Sequence, residues 1–258
     1  MPPKDVQVHY VGEIVKLMLW YMYQLMSNLQ ISFSVVLTDY VDIYRKTSFF
    51  NLNDASETQR LKPKWSECAA KLNAIFEMHL SNKRPAAELE QQGLRLLWPY
   101  LVERVERGLP LVEYRENTTF GCFFYNLNDR VIDLHFVNKI MPEAPFTKLL
   151  GRAAELYKLL LHCKEDRPQI QKIKCGSWLN DYPPFCKLFP STWQDSGERR
   201  SYNSLGWWGQ FVNHYGDIHA HNAKQFRDTS NFPYQCTYHQ CEIDDLRRHL
   251  RGLLEAGD

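Results

Sequence analysis

The chain has 258 residues, of which 44% are hydrophobic and 24% charged, a composition typical of folded globular proteins. Lys and Arg number 31 against 30 Asp and Glu, so the formal net charge of +1 offers no basic footprint for nucleic acid. The aromatic share of 14% is high and predicts a core and any pocket rich in rings.

The N-terminal residues and the cysteines bear on localisation. Seven cysteines lie at scattered spacings, and Met1–Val8 lacks the cationic and apolar regions of a signal peptide. An odd number of cysteines without a signal peptide predicts a reducing, cytoplasmic location. Between Ile14 and Leu37 the only charge is Lys16, but interspersed Gln, Asn and Ser favour a buried soluble helix over a membrane span.

Helical periodicity dominates the first 108 or so residues. A first helix is predicted from about Val11 to as far as Arg45, in one or two pieces. A second has its apolar face between Trp65 and Leu80. A third runs from Ala86 to Arg107, with a kink expected at Pro99. We therefore assign residues 1–110 to a helical N-terminal region.

The pattern then becomes that of a sheet. Strands are predicted at Phe120–Tyr125 and Val131–Val137, joined by a turn at Asn126–Asp129. In the second strand one face is wholly apolar, while Asp133 and His135 lie on the other. The two strands predict a β-hairpin.

A long helix, another strand and a short helix follow. The helix is predicted from Thr147, as N-cap, to Cys163, and the strand from Lys172 to Trp178. Asn180 or Asp181 is a candidate cap for a short helix that carries Phe185.

The remaining residues are less regular. Residues 191–205 are polar and predict a mobile loop or lid, and Trp207–Val212 is predicted to be a strand. Residues 222–241 give no clear pattern, and a last helix starts near Glu242. The order of elements indicates an α+β protein, with an α/β domain at residues 111–258.

Residues Val131–Phe189 resemble the second half of a GCN5-related N-acyltransferase fold. The order of hairpin, long helix, strand and short helix is similar, as is Cys175-Gly176-Ser177-Trp178-Leu179 followed by Leu188-Phe189-Pro190. Counted over the elements from about Phe120 to Phe211, the resemblance covers about 90 residues well, and the helical half only by architecture. It implies a helical N-terminal region packed on a mixed, acyltransferase-like sheet.

The resemblance also implies an acyl-coenzyme A donor whose pyrophosphate binds backbone N–H groups at the start of the long helix. Lys148, Cys175 and Trp178 are then candidate donor-binding residues. The loop usual in the family reads Gln/Arg-x-x-Gly-x-Gly/Ala. The matching loop, Lys139–Lys148, has no glycine, Gly151 is predicted inside the helix, and two prolines in the loop lack an N–H.

Acyl transfer needs a base for the nucleophile and an acid for the leaving thiolate. His135 is the candidate base, supported by Asp133, and the alternative is a hydrogen-bonded strand histidine. Ser177 and Tyr182 are candidate acids that would line the donor tunnel, with residues 191–205 gating it. Cys175 is also a candidate nucleophile with His135, or simply a buried strand cysteine.

A second hypothesis is a metal-dependent enzyme. Asp133-Leu134-His135 and Asp217-Ile218-His219, extended by His221, share an Asp-x-His pattern that on a strand puts both side chains on one face. Such donors suit Fe, Zn or Cu, and the alternative is two satisfied core histidines, each oriented by its Asp. Cys236-x-x-His239-x-Cys241 also has ligand-like spacing, but scattered buried cysteines explain it as well.

A third hypothesis is a non-catalytic module whose aromatic pocket holds a small ligand. Trp207 and Trp208, on opposite faces of a strand, would supply one core ring, while the other ring would line a pocket wall, stack on a planar ligand or simply cover the second face. The first hypothesis is preferred: acyl transfer to an amine or similar nucleophile of a small molecule, with no nucleic acid or membrane partner. The substrate, the acyl donor and the oligomeric state stay open.

Overall fold

The structure is a computed structural model that describes residues 4–109, 118–128, 130–199 and 205–256. These residues form two compact units. The sheet unit comprises the described residues of 118–199 and 234–256, and the helical unit comprises those of 4–109 and 205–233. The sequence predicted a division near residue 110, whereas residues 205–233 group with the N-terminal helices.

Three long helices build most of the helical unit: α1 (Lys4–Leu29), α2 (Ala55–Ser81) and α3 (Ala86–Glu106). The first predicted helix therefore begins earlier and ends much sooner than expected. Gln30, at φ 53°, ends it, and residues 33–46 form only short helical turns. Asp54 starts α2 by accepting a hydrogen bond from the backbone N–H of Glu57 at 2.9 Å.

Two glycines let α1 and α3 approach closely. A Cβ atom at Gly93 of α3 would lie 2.9 Å from a methyl carbon of Leu19, and one at Gly12 of α1 would lie 2.8 Å from the Trp98 ring. Because these positions have no side chain, the helices interlock and the middle of α1 is buried.

A ring cluster completes the helical unit. Residues Leu205–Phe211 form a 3-10 helix and Ala220–Thr229 form α7. The strand predicted at Trp207–Val212 is therefore wrong. Trp207 and Trp208 are both buried, at 1% exposure, and both contact the ring of Phe232. The prediction that one of them faces a pocket is not supported, because in a 3-10 helix consecutive side chains do not alternate between two faces.

The sheet unit contains six strands: β1 (Thr119–Phe120), β2 (Phe123–Asn128), β3 (Val131–Phe136), β4 (Lys172–Ser177), β5 (Glu198–Arg199) and β6 (Thr237–Glu242). Their order in the sheet is β1-β2-β3-β4-β6-β5. β3 and β4 are parallel, and every other neighbouring pair is antiparallel. The predicted hairpin is confirmed as β2–β3, and the α+β class is confirmed.

Helices cover one face of this sheet, which we call the core face. The long crossover helix α4 (Leu149–Asp166) joins β3 to β4, and α8 (Ile243–Glu255) follows β6 and packs on α4. The alternation predicted for β3 is confirmed, with Ile132 and Leu134 buried on the core face and Asp133 and His135 on the other. Two short helices, α5 (Pro183–Cys186) and α6 (Ser191–Asp195), lie between β4 and β5.

Strand β6 was not predicted, although it lies between β4 and β5 in the sheet. Its sequence, Thr-Tyr-His-Gln-Cys-Glu, contains few strongly apolar residues. His239 and Cys241 fill its buried positions, so a polar side chain stands where a strand pattern would show an aliphatic one.

A membrane span was weighed for the segment from Ile14 to Leu37. No helix in the described part of the chain combines the length and the apolar character that crossing a bilayer requires.

The turn between β1 and β2 is fastened to α4 by a carboxylate. Glu155 accepts a hydrogen bond from the backbone N–H of Cys122 at 2.9 Å and one from Arg152 at 2.7 Å. Gly121 precedes this contact at φ 58°, and a Cβ atom there would lie 1.9 Å from Cδ of Glu155.

We expect Gly121→Ala to lower the free energy of unfolding by about 2 kcal/mol or more, because left-handed backbone costs an alanine about 1–2 kcal/mol and Glu155 must also move. Urea unfolding measures the change. Gly252→Ala is the matched control, since nothing lies within 4 Å of its new Cβ in α8, and we expect it to be neutral or stabilising. Equal effects of the two substitutions would contradict the prediction.

Candidate functional site

At the centre of the sheet, the parallel strands β3 and β4 separate before they end. The ladder pairs Val131 with Lys172, Ile132 with Ile173 and Asp133 with Lys174, and goes no further. Both strands nevertheless continue by three residues, to Phe136 and Ser177. Their carboxyl ends therefore flank an opening in the sheet. Open ends of parallel strands are a common place for ligands in α/β folds.

On the face opposite the helices, His135 stands beside this opening. Its ring stacks on the buried ring of Phe124, with centroids 4.8 Å apart. Its Nε2 lies 3.3 Å from Nδ2 of Asn126. If the ladder register were continued, Gly176 would face His135 across the opening, so no β4 side chain would stand opposite the imidazole.

Asp133 shares the face of His135, as the sequence predicted. Its carboxylate lies 3.4 Å from Nζ of Lys174, its cross-strand partner. Both side chains are about one third exposed, so the ion pair is of the partly exposed kind that contributes little stability. Asp133 is thus a neighbour of His135 whose charge Lys174 balances.

The candidate residues of β4 point to the core face. Cys175 and Ser177 alternate with Gly176, so they lie on the face opposite His135. The structure therefore does not bring Cys175 and His135 onto one face, which the predicted nucleophile–base pair would need. Cys175 is buried, and the Ser177 hydroxyl accepts the N–H of Leu179 at 3.1 Å as a helix cap.

Aromatic rings connect the two sides of the opening on the core face. Phe136, at the end of β3, stacks on Phe146 at 5.0 Å, and Phe146 contacts Tyr182 at 5.7 Å. Tyr182 also contacts Trp178 and Tyr234, at 6.0 and 5.5 Å. Burial raises the pKa of Tyr182, and Tyr234 adds to the shift, so its hydroxyl keeps its proton at neutral pH.

Helix α4 starts one residue later than the sequence predicted. Thr147 is not the cap: its hydroxyl donates to the carbonyl of Ala144, and Lys148 is the N-cap without a side-chain bond. The helix begins at Leu149, which places Gly151 in its first turn. The nearest atom to a Cβ placed there would be Cβ of Lys148, at 3.9 Å, so the space beside this turn is open.

Lys148-Leu-Leu-Gly151-Arg-Ala153 covers the N-cap and the first residues of α4. Gly151 lies inside the helix, as the sequence predicted. The Lys148 ammonium pairs with Glu143 at 2.8 Å and lowers the pKa of that carboxyl.

The predicted metal ligands Asp217, His219 and His221 are not on one strand. Asp217 lies in a turn, 3.5 Å from Nε2 of His9. His219 is the N-cap of α7, where its Nδ1 accepts the N–H of Asn222 at 3.3 Å, and its ring centroid is 6.5 Å from that of His221. Within the described ranges, no three His, Cys, Asp or Glu side chains are grouped to hold a metal ion.

The Cys-x-x-His-x-Cys segment is a packing element. Nδ1 of His239 lies 2.7 Å from the carbonyl oxygen of Trp193, and Nε2 lies 3.0 Å from the Thr237 hydroxyl. Both ring nitrogens therefore have partners. Burial raises the pKa of Cys241 to about 12, which keeps it a thiol.

The predicted lid at residues 191–205 contains regular structure. Ser191–Asp195 form α6 and Glu198–Arg199 form β5, which pairs with β6. Residues 200–204 lie outside the described residues. That this segment gates a site stays a prediction.

No family model, no curated protein and no solved structure matches this chain. Any statement of function therefore depends on the site itself.

The histidine cap of α7 makes stability depend on pH. Burial lowers the pKa of His219, and the neighbouring His221 and His214 lower it further. The unfolded chain therefore takes up a proton near the ordinary value of 6.5 while the native chain resists it, so stability falls as pH drops below about 6.5.

We expect His219→Asn, which keeps a neutral capping acceptor, to reduce this acid-side loss of stability. Urea midpoints of the two proteins at pH 8 and at pH 5.5 measure it. His162→Asn is the control, because that histidine lies within α4 and does not cap a helix. An identical pH dependence in wild type and His219→Asn would refute the prediction.

Proposed function

We propose that this chain transfers an acyl group from a thioester to an amine, or a similar nucleophile, of a small molecule. The observation that carries the proposal is the opening between β3 and β4, with His135 on one face of the sheet and the Tyr182 ring group on the other. An extended acyl carrier placed between parted strands can bond to their backbone as an added strand does.

The order of elements supports the same proposal. A hairpin, a long crossover helix, a parallel strand, short helices and a closing strand follow one another in the sheet unit, as the resemblance to N-acyltransferases implies. Fold alone does not decide chemistry. The additional support is that the opening lies between the strands that this crossover helix connects.

The start of α4 fits the phosphate end of coenzyme A. The first hydrogen bond that closes a helical turn runs from the N–H of Arg152 to the carbonyl of Lys148, so earlier amides point outward. These N–H groups, the helix dipole and the open space at Gly151 suit a diphosphate, and Lys148 adds a positive charge. Pro142 and Pro145 in the preceding loop supply no N–H.

In the proposed reaction His135 accepts the proton of the attacking amine. The nitrogen forms a bond to the thioester carbonyl carbon, the carbon–sulfur bond breaks, and the departing thiolate takes a proton from Tyr182. Tyr182 suits this role because it is protonated at neutral pH. Asp133 and Lys174 keep the charge near His135 balanced.

Asn126 is the proposed positioning residue for His135. Its amide lies 3.3 Å from Nε2, and an amide can present either its N–H₂ or its oxygen after a rotation by half a turn. It can therefore donate to the neutral imidazole and accept from the imidazolium. Asn126 was read from the sequence as a turn residue, but β2 extends to Asn128 and places it on a strand.

Coenzyme A and acetyl-coenzyme A should each raise the melting temperature of the purified protein in a saturable way, because a ligand of the native state stabilises it by mass action. Gly151→Asp should abolish this rise. Aspartate in a first helical turn is favourable for the helix, so loss of the rise would report repulsion of the diphosphate rather than unfolding. Gly252→Ala is the control and should keep the full rise. If neither compound raised the melting temperature of the wild-type protein, the proposal that it binds coenzyme A would be refuted.

His135→Gln should lower kcat/KM for acyl transfer by about 10²–10⁴ while the donor-induced rise in melting temperature is retained. Asn126→Leu should lower kcat about tenfold with little change in donor KM, in the range of a lost hydrogen bond. It should also change the imidazole tautomer seen by ¹⁵N NMR. Full activity of His135→Gln with a bound donor would overturn the base assignment.

A further inference from the structure

Five aromatic side chains, linked by ring contacts, join the ends of β3 and β4 and are all only half-buried. We call them the ring group: Phe136, Phe146, Trp178, Tyr182 and Tyr234. The aromatic core of the same unit is covered, at 4% exposure or less: Phe123, Phe185, Phe189 and Trp193. Half-buried rings beside an opening present apolar surface to a ligand, which fully packed core rings do not.

Tyr182 connects two parts of the ring group. Phe146 shortly precedes the start of α4, and its ring contacts those of Phe136 and Tyr182, at 5.0 and 5.7 Å. Trp178 follows β4, and within the described part of the chain its ring contacts those of Tyr182 and Tyr234 but not that of Phe146. One part of the group therefore lies on the side of the α4 start, and the other lies by the ends of β4 and β6.

This order of contacts separates the carrier of a thioester from its acyl group. In the proposed function, on which this step rests, the diphosphate lies at the start of α4 and the sulfur lies beside the Tyr182 hydroxyl. The carrier then passes Phe146 to reach Tyr182. An acyl group points away from its carrier, and the amine attacks from the face of His135. The acyl group therefore continues past Tyr182 towards Trp178 and Tyr234.

The surroundings of Trp178 and Tyr234 favour a neutral, flat group. Their ring centroids are 5.5 Å apart with 32° between the planes, an arrangement that an added planar ring can extend by stacking. Asp181, which precedes Tyr182 in the chain, accepts the N–H of Gln235 at 2.8 Å, and Gln235 directly follows Tyr234. This carboxylate would repel a negatively charged acyl group such as succinyl.

We propose that the acyl group transferred by this chain is a neutral aromatic one, such as phenylacetyl, held against Trp178 and Tyr234. A flat ring makes face and edge contacts with such rings and has few rotatable bonds to fix, whereas an alkyl chain of similar length has more. An acetyl group is too short to cover both rings. The amine nitrogen bonds to the carbonyl carbon, the carbon–sulfur bond breaks, and the protons move through His135 and Tyr182 as above, so the aromatic ring itself is unchanged.

Calorimetric titration of the whole protein with free coenzyme A and with its acetyl, hexanoyl and phenylacetyl thioesters tests this assignment. We expect the phenylacetyl thioester to bind about tenfold more tightly than the acetyl thioester, and more tightly than the hexanoyl one, because its ring buries additional apolar surface. Tyr234→Leu should remove most of this preference. Phe120→Leu is the matched control, since it removes another half-buried ring of the sheet unit, one that contacts His162 at 5.1 Å, and it should keep the preference.

The possible outcomes distinguish the aromatic acyl group from acyl transfer itself. Binding of every compound with equal affinity for the acetyl and phenylacetyl thioesters, or with highest affinity for the hexanoyl one, would overturn the aromatic acyl group and leave acyl transfer standing. Binding of none of them would overturn both. Because the wild-type series alone gives these results, the test stays decisive if Tyr234→Leu does not fold. A preference that Phe120→Leu also removes would show that it does not depend on the ring group.

Discussion

The central constraint on the sheet unit is that two parallel strands pair over three residues and then separate. Parallel strands require a crossover connection, and here it is an 18-residue helix that packs on the core face. On the core face beside the opening, the ring of Phe146 contacts both Phe136, at the end of β3, and Tyr182, which follows β4. Packed side chains therefore connect the two strands where their backbones separate.

This arrangement gives the two faces of the sheet different chemistry. On the face of His135 the neighbours across the strands are the polar or charged Asn126, Asp133 and Lys174, together with the ring of Phe124. On the core face, beside Cys175 and Ser177, they are apolar and aromatic. This difference between the two faces follows from the alternation of side chains along a β-strand.

The helical unit achieves its stability differently. Close helix contacts at Gly12 and Gly93 bury α1, and a bidentate ion pair between Glu90 and Arg227, at 2.8 and 2.7 Å, ties α7 to α3. Arg104 of α3 donates hydrogen bonds to the carbonyls of Thr47, Phe50 and Leu109, and these bonds tie the 47–50 turn to that helix.

The sequence by itself determined those elements in which apolar side chains recur at the regular spacing of a strand or a helix. Alternation over Val131–Val137 predicted a hairpin strand and its buried face, and the leucines after Thr147 predicted the long helix, because these periods reflect contact with a single core. Only the tertiary structure decided the rest. The run Trp207–Val212, rich in aromatic residues, forms a 3-10 helix as far as Phe211, with Trp207, Trp208 and Phe211 buried. β6 is a strand because β4 and β5 offer it partners on both sides. The start of α4 at Leu149 and the opening beside His135 depend on contacts between residues distant in sequence, which local periodicity does not encode.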